Sequence, residues 1–191
     1  MKKRKIANLI MVLIITAIVI AGVVTAIVLK TDGGNSLGSQ YKMQEFQEDM
    51  LNASGENTCT VTIVCDTVLN SLDTLNAEKA PFVPEDGIIL HKTTVSFANG
   101  DTVFEVLKRV CAAADIQIEY SYTPMYKSYY IEGINHLYEF DCGPESGWMY
   151  SVNGQFPNYG CSAYKLSSGD DIVWCYTCSG LGADVGADGM G

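Results

Sequence analysis

The chain has 191 residues, with 22 acidic against 12 basic side chains and a formal net charge of −10. Every acid lies beyond residue 30 with only seven of the bases, so that part carries −15, a balance that repels nucleic acid and anionic lipid surfaces. No P-loop or dinucleotide fingerprint occurs, which removes the commonest phosphate-binding classes.

Lys2-Lys3-Arg4-Lys5 precedes an uncharged run from Ile6 to Leu29. At 1.5 Å per residue such a run spans the ~30 Å hydrocarbon core with some tilt. Residues 1–30 therefore read as a cytoplasmic basic end and a transmembrane helix, a signal anchor with the rest of the chain extracellular. A signal peptide cleaved near Val19-Ile20-Ala21 is the other reading, although its apolar core would be unusually long. Residues 31–57 are rich in Gly, Ser, Asn and Gln and read as a flexible linker. A short helix is expected over Tyr41–Leu51, and Asn52-Ala53-Ser54 matches a glycosylation acceptor.

Residues 58–181 suffice for one domain with one core. Cys59 to Cys65 alternates as a strand with an apolar face and a Thr-rich face. Thr67 to Leu75 is expected to hold a helical turn, and Pro81 and Pro84 enforce an irregular connection. Ile88 to Phe97 is a second strand. Thr102-Val103-Phe104-Glu105 is a capping box, and Val103, Val106, Leu107, Val110, Cys111 and Ala114 follow at helical spacing. Ile116 to Tyr122 alternates again. Gly143-Pro144 and Ser146-Gly147 break regular structure. Trp148, Tyr150 and Val152 then alternate up to Asn153-Gly154, the favoured type I′ turn pair, which predicts a β-hairpin with Phe156 on its return strand. Asp170 to Thr177 is the last strand, and residues 182–191 are a Gly-rich tail expected to fray. The fold class is α+β, with one main helix on a mixed sheet.

Ser146-Gly147-Trp148-Met149-Tyr150-Ser151-Val152-Asn153-Gly154, with Ile131-Glu132-Gly133-Ile134-Asn135 before it and Asn158-Tyr159-Gly160-Cys161 after it, resembles the transcobalamin C-terminal-like family, also called domain of unknown function 4430. The resemblance runs from about Thr58 to Leu181. It implies a single β-grasp-like domain, and a corrinoid as ligand. In transcobalamin-like proteins an α-helical barrel holds the ligand's other face. No such segment is read in this chain, so a partner protein would have to supply it.

Seven cysteines in an exported domain point to disulfides. Cys59, Cys65, Cys111, Cys142, Cys161 and Cys178 are the candidates, with connectivity open. Cys175, mid-strand, is the expected odd one, since the family pattern has an apolar residue there. No zinc-type Cys spacing repeats, so no metal is expected. His91 and His136 are the only histidines, and no orienting acid or oxyanion loop accompanies them, so no catalytic residue and no enzyme is expected. Fourteen of the nineteen aromatic residues fall between Tyr120 and Tyr176, and the run Tyr120, Tyr122, Tyr126, Tyr129, Tyr130 is too dense to be wholly buried. Tyrosine suits contact surfaces. The expected function is a membrane-anchored extracellular binding module, non-catalytic and without a cofactor unless cobalamin is its ligand. The alternative is a cell-surface interaction or adhesion module binding protein or glycan. Trp148, Tyr150, Asn153, Phe156 and Tyr159 are the expected ligand-binding residues.

Overall fold

The computed structural model describes residues 42–45 and 57–187. The expected membrane anchor and basic end, the Asn52-Ala53-Ser54 site, the rest of the linker and the last residues of the tail lie outside the described residues. Residues 42–45 form a helical turn, with Met43 against the core and Lys42 3.8 Å from Asp115. Among the described residues no helix is long and apolar enough to cross a membrane.

In chain order the regular elements are β1 (Asn57–Val64), β2 (Ile88–Phe97), α1 (Val103–Ala114), β3 (Ile118–Thr123), β4 (Ser128–Ile134), β5 (Leu137–Tyr138), β6 (Gly147–Val152) and β7 (Asp171–Thr177), joined in part by 3₁₀ turns. Four strands form a mixed sheet in the order β2-β1-β7-β6, with β1 and β7 parallel at its centre. Period-two alternation sends one face inward. Cys59, Val61 and Ile63 of β1 stand level with Val95, Thr93 and Leu90 on one side. On the other side, Val61 and Ile63 stand level with Ile172 and Trp174 of β7. These in turn meet Val152 and Tyr150 of β6, and Tyr176 meets Trp148. The buried face of α1, Val103, Phe104, Val106, Leu107, Val110 and Cys111, joins them in one core. The capping box holds, with the Thr102 N–H donating to Glu105 Oε2 at 2.9 Å, and Asp115 ends the helix in the left-handed region.

This is a mixed α+β domain whose strands divide between two sheets rather than lying in one. The second sheet is antiparallel, in the order β3-β4-β5. β3 is exposed or half-exposed along its whole length and pairs with β4 alone.

The expected hairpin is cut short. Asn153 and Gly154 have φ of 54° and 75°, as a type I′ turn needs, and Val152 exchanges backbone hydrogen bonds with Gln155. The return strand stops there, and Phe156 lies in no strand. β7 occupies the place beside β6: Asn153 N–H donates to Asp171 O at 2.8 Å, and Asn153 Oδ1 accepts from Asp171 N–H at 2.9 Å. Pro157, lacking an N–H, then leads the chain away.

The Gly-rich end departs from expectation too. Residues 182–187 fold back, because the Asp184 carboxylate accepts hydrogen bonds from the N–H groups of Cys178 and Ser179 and from the Thr177 hydroxyl.

Candidate functional site

A groove of about 630 Å³ opens where the β3–β4 hairpin meets the loop after β6. Its lining holds four tyrosines, Tyr126, Tyr129, Tyr130 and Tyr159, and no charged side chain. That volume falls in the range of small-molecule pockets.

Each wall has a local cause. Tyr126 sits in the turn joining β3 to β4, where Tyr126 and Lys127 N–H donate to the carbonyls of Thr123 and Pro124. It is 73% exposed and Met125 beside it 83%. Tyr129 is cross-strand to Tyr122. Its ring lies flat on Phe104 at 4.3 Å between centroids, with Tyr120 and Tyr122 edge-on to it. The first turn of α1 thereby fixes the groove's floor. Tyr130 donates its hydroxyl to Glu139 Oε2 at 2.7 Å. Burial, then the Glu139 bond and charge, push its phenol above the ordinary range, so it stays a protonated donor.

The opposite wall, Pro157 to Gly160, is pinned on two sides. The Val103 and Phe104 N–H groups, orphans of the helix's first turn, donate to the carbonyls of Tyr164 and Cys161. On the other side, Ser162 Oγ accepts from Tyr129 N–H at 3.0 Å and shares a 2.7 Å hydrogen bond with Ser128 Oγ. Gly160 makes this approach feasible: a Cβ there would stand 2.0 Å from Ser128 Oγ. Tyr159, half exposed, stacks on Tyr164 at 5.9 Å.

A second hollow of about 210 Å³ shares Tyr130 with the groove. Its walls include Phe140, Pro144, Glu145, Trp148, Met149 and Leu181.

The five residues expected at the ligand surface separate. Tyr159 lines the groove. Trp148 and Tyr150 are 7% and 8% exposed and belong to the core. The Trp148 Nε1–H donates to Leu137 O at 2.8 Å, and only a remnant of its ring borders the second hollow. The Tyr150 hydroxyl donates to Tyr159 O at 2.8 Å and so holds the groove's loop from beneath. Asn153 is exposed, but its side chain is spent on Asp170 and Asp171. Phe156 is half-buried outside the groove lining. Beside Tyr159, the groove is lined by Tyr126, Tyr129 and Tyr130, from the run too dense to be wholly buried.

The seven cysteines are all buried, and none is bonded to another in this structure. The His136 ring lies on Phe82 at 4.5 Å, while the Cys142 thiol lies beside Thr74. Among the described residues no group of three or more His, Cys, Asp or Glu side chains gathers as a metal site.

Residues 100–178 match the family described as "Domain of unknown function (DUF4430)". The match takes in the Ser146–Gly154 stretch and its flanking motifs, on which the resemblance to the transcobalamin C-terminal-like family rests. The family segment takes in α1, both groove walls and β3 to β7, and leaves β1 and β2 outside it. No curated protein matches the chain. Among solved structures, a candidate metal binding protein from Ruminococcus gnavus ATCC 29149 is 15% identical, with a TM-score of 0.41, over 64% of this chain and 97% of its own. Haptocorrin in complex with Cbi is 14% identical, with a TM-score of 0.44, over 64% of this chain and 25% of its own.

Proposed function

We propose that this domain is a non-catalytic binding module that takes a small, partly flat, uncharged ligand face in the tyrosine groove. The observation that carries this reading is four tyrosines around about 630 Å³ with no charged side chain among them, in a chain that is otherwise strongly acidic. Tyrosine offers a flat apolar face and a hydroxyl at little ordering cost. A corrinoid is the ligand class that the family resemblance supplies. The parallel β1/β7 pair between antiparallel neighbours, with α1 following β2, supports a β-grasp-like description. The sequence of residues 1–30 supports a membrane-anchored, extracellular setting.

The test is a binding titration of the full-length protein against cobalamin and a panel of flat ligands and glycans. Tyr126→Ala and Tyr159→Ala should each weaken binding about tenfold, the loss of roughly one aromatic stacking contact. Failure of cobalamin to bind removes the corrinoid. Unchanged affinity in both variants for whatever ligand does bind removes the groove. The exposure of Met125 and Tyr126 at the hairpin tip favours a second reading, contact with a protein or glycan at the cell surface.

A further inference from the structure

Cys142 opens the loop leading into β6, and Cys178 follows the last residue of β7. Gly147 pairs with Thr177, so Cys178 leaves the sheet opposite the end of that loop. The loop curls back on itself, with Cys142 N–H donating to Ser146 Oγ at 3.0 Å. Both thiols therefore arrive at one place. Cys142 Sγ lies 3.4 Å from Thr74 Oγ1 and 3.6 Å from Ser71 O. Cys178 Sγ lies 3.7 Å from Thr67 Oγ1 and interacts with Ser71 and with the Cys142 thiol itself. The two thiols are neighbours, 1% and 8% exposed as residues, and share Ser71 between them.

Two thiols without further soft ligands do not make a tetrahedral metal site. Neither has an imidazole partner among these contacts, so neither is set up as a nucleophile. What two neighbouring thiols can do is join. We propose that Cys142 and Cys178 form a disulfide when the chain folds in contact with a disulfide oxidant such as oxidised glutathione. The two thiols give up two protons and two electrons, one S–S bond forms between them, and the oxidant's own S–S bond is reduced to two thiols.

The surroundings set when this happens. Burial, reinforced by the neighbouring Cys142, pushes the Cys178 thiol up, and exchange needs a thiolate and access. The bond therefore forms before the loop closes over the pair, and once formed it resists exchange. It also joins the two sides of the smaller hollow. Phe140, Pro144 and Glu145 stand on the Cys142 side, and Thr177 and Leu181 on the Cys178 side. Non-covalent ties already run the same way, from Gly180 N–H to Glu145 Oε2 at 2.9 Å and from the Tyr176 hydroxyl to Ser146 Oγ at 3.0 Å.

The test maps the bond in the full-length protein. The protein is refolded in oxidised and reduced glutathione, quenched in acid, blocked with N-ethylmaleimide and cut with chymotrypsin without reduction. Cleavage after Phe140 and Trp148, and after Tyr176 and Leu181, isolates each cysteine in its own peptide. A linked pair of peptides 141–148 and 177–181, abolished by dithiothreitol, is expected. Recovery of both cysteines as maleimide adducts, or of either joined to another cysteine, overturns the proposal. In a Cys142→Ser variant unfolded in denaturant without reductant, Cys178 should become maleimide-reactive, and the folded, oxidised variant's midpoint should lie on the order of 10 °C below the wild type's. A Cys178 that stays blocked in that variant also overturns it. If the variant does not fold, the wild-type map decides alone.

Discussion

Replacing Trp148 by Ala tests whether the family's most recognisable stretch is core or contact surface. The side chain is 7% exposed, lies edge-on to Tyr176 at 5.3 Å and donates to Leu137 O. Removing roughly 200 Å² of buried aromatic surface at about 25 cal/mol per Å² forfeits about 5 kcal/mol as an upper bound. Measured Trp→Ala truncations fall at about 3–5 kcal/mol once partial collapse is allowed for. The Leu137 carbonyl is also left without its donor, within the same total. For a domain of this size each kcal/mol moves the midpoint by roughly 3–5 °C, so Tm should fall by roughly 10–20 °C. Thermal unfolding of the full-length protein is followed by near-ultraviolet circular dichroism and by the fluorescence of the remaining Trp174. A fall under about 5 °C, accompanied by a clear loss of binding, would refute the reasoning and return Trp148 to the ligand surface.

Trp148→Phe should cost more than Trp174→Phe although Trp174 is the more buried, because Trp174 Nε1 has no hydrogen-bond partner whereas Trp148 Nε1 has one; paired thermal melts decide, and the reverse order counts against the assignment. Gly160→Ala places a Cβ 2.0 Å from Ser128 Oγ, so it should lift the Pro157–Gly160 wall and weaken groove binding, with Ser128→Gly restoring much of the loss; an unaffected Gly160→Ala protein would show that the loop is not seated there. Asp171 accepts from Thr60 Oγ1 at 2.6 Å and pairs with Lys92 at 2.9 Å, which hold its carboxyl below the ordinary 3.8. Its contribution is therefore complete above that value and is lost as pH falls through the lower, folded-state value, so Asp171→Asn should flatten the acid limb of the stability profile, read as midpoint against pH between about 2 and 5.

The elements legible in the sequence are those whose burial follows a simple period. β2 spans the expected Ile88–Phe97, and α1 begins behind its capping box, because Leu90, Val95, Phe97 and the Val103–Cys111 stripe each meet one core face. β4 escaped notice. Its Tyr129 and Tyr130 are exposed side by side, and a β-bulge between Glu119 and Tyr120 shifts the register of its partner. The turn into β5 escaped too, since Asn135 and His136 both take φ near 60° without a glycine between them. The return strand after Asn153-Gly154 was expected from local turn chemistry. A strand seventeen or more residues downstream took its ladder instead, and nothing local in the sequence reveals that competition.

The same competition explains why motif and site part company. A strand paired with β7 whose alternate side chains enter the core has them committed there, so Trp148, Tyr150 and Val152 are recognisable because packing dictates them. The groove is built where pairing runs out. At its Ser128 end β4 has β3 on one side and no strand on the other, and a loop held by helix N–H groups and by Ser162 covers that open edge. Such a wall needs small residues at the contact, here Ser128, Gly160 and Ser162, and leaves their larger neighbours, Tyr129 and Tyr159, to line the groove. The sequence signature of a surface made this way is the juxtaposition of small and aromatic residues, not alternation. Asn158-Tyr159-Gly160-Cys161-Ser162 carries that signature in this chain, and Ser128-Tyr129-Tyr130 is the strand it closes upon.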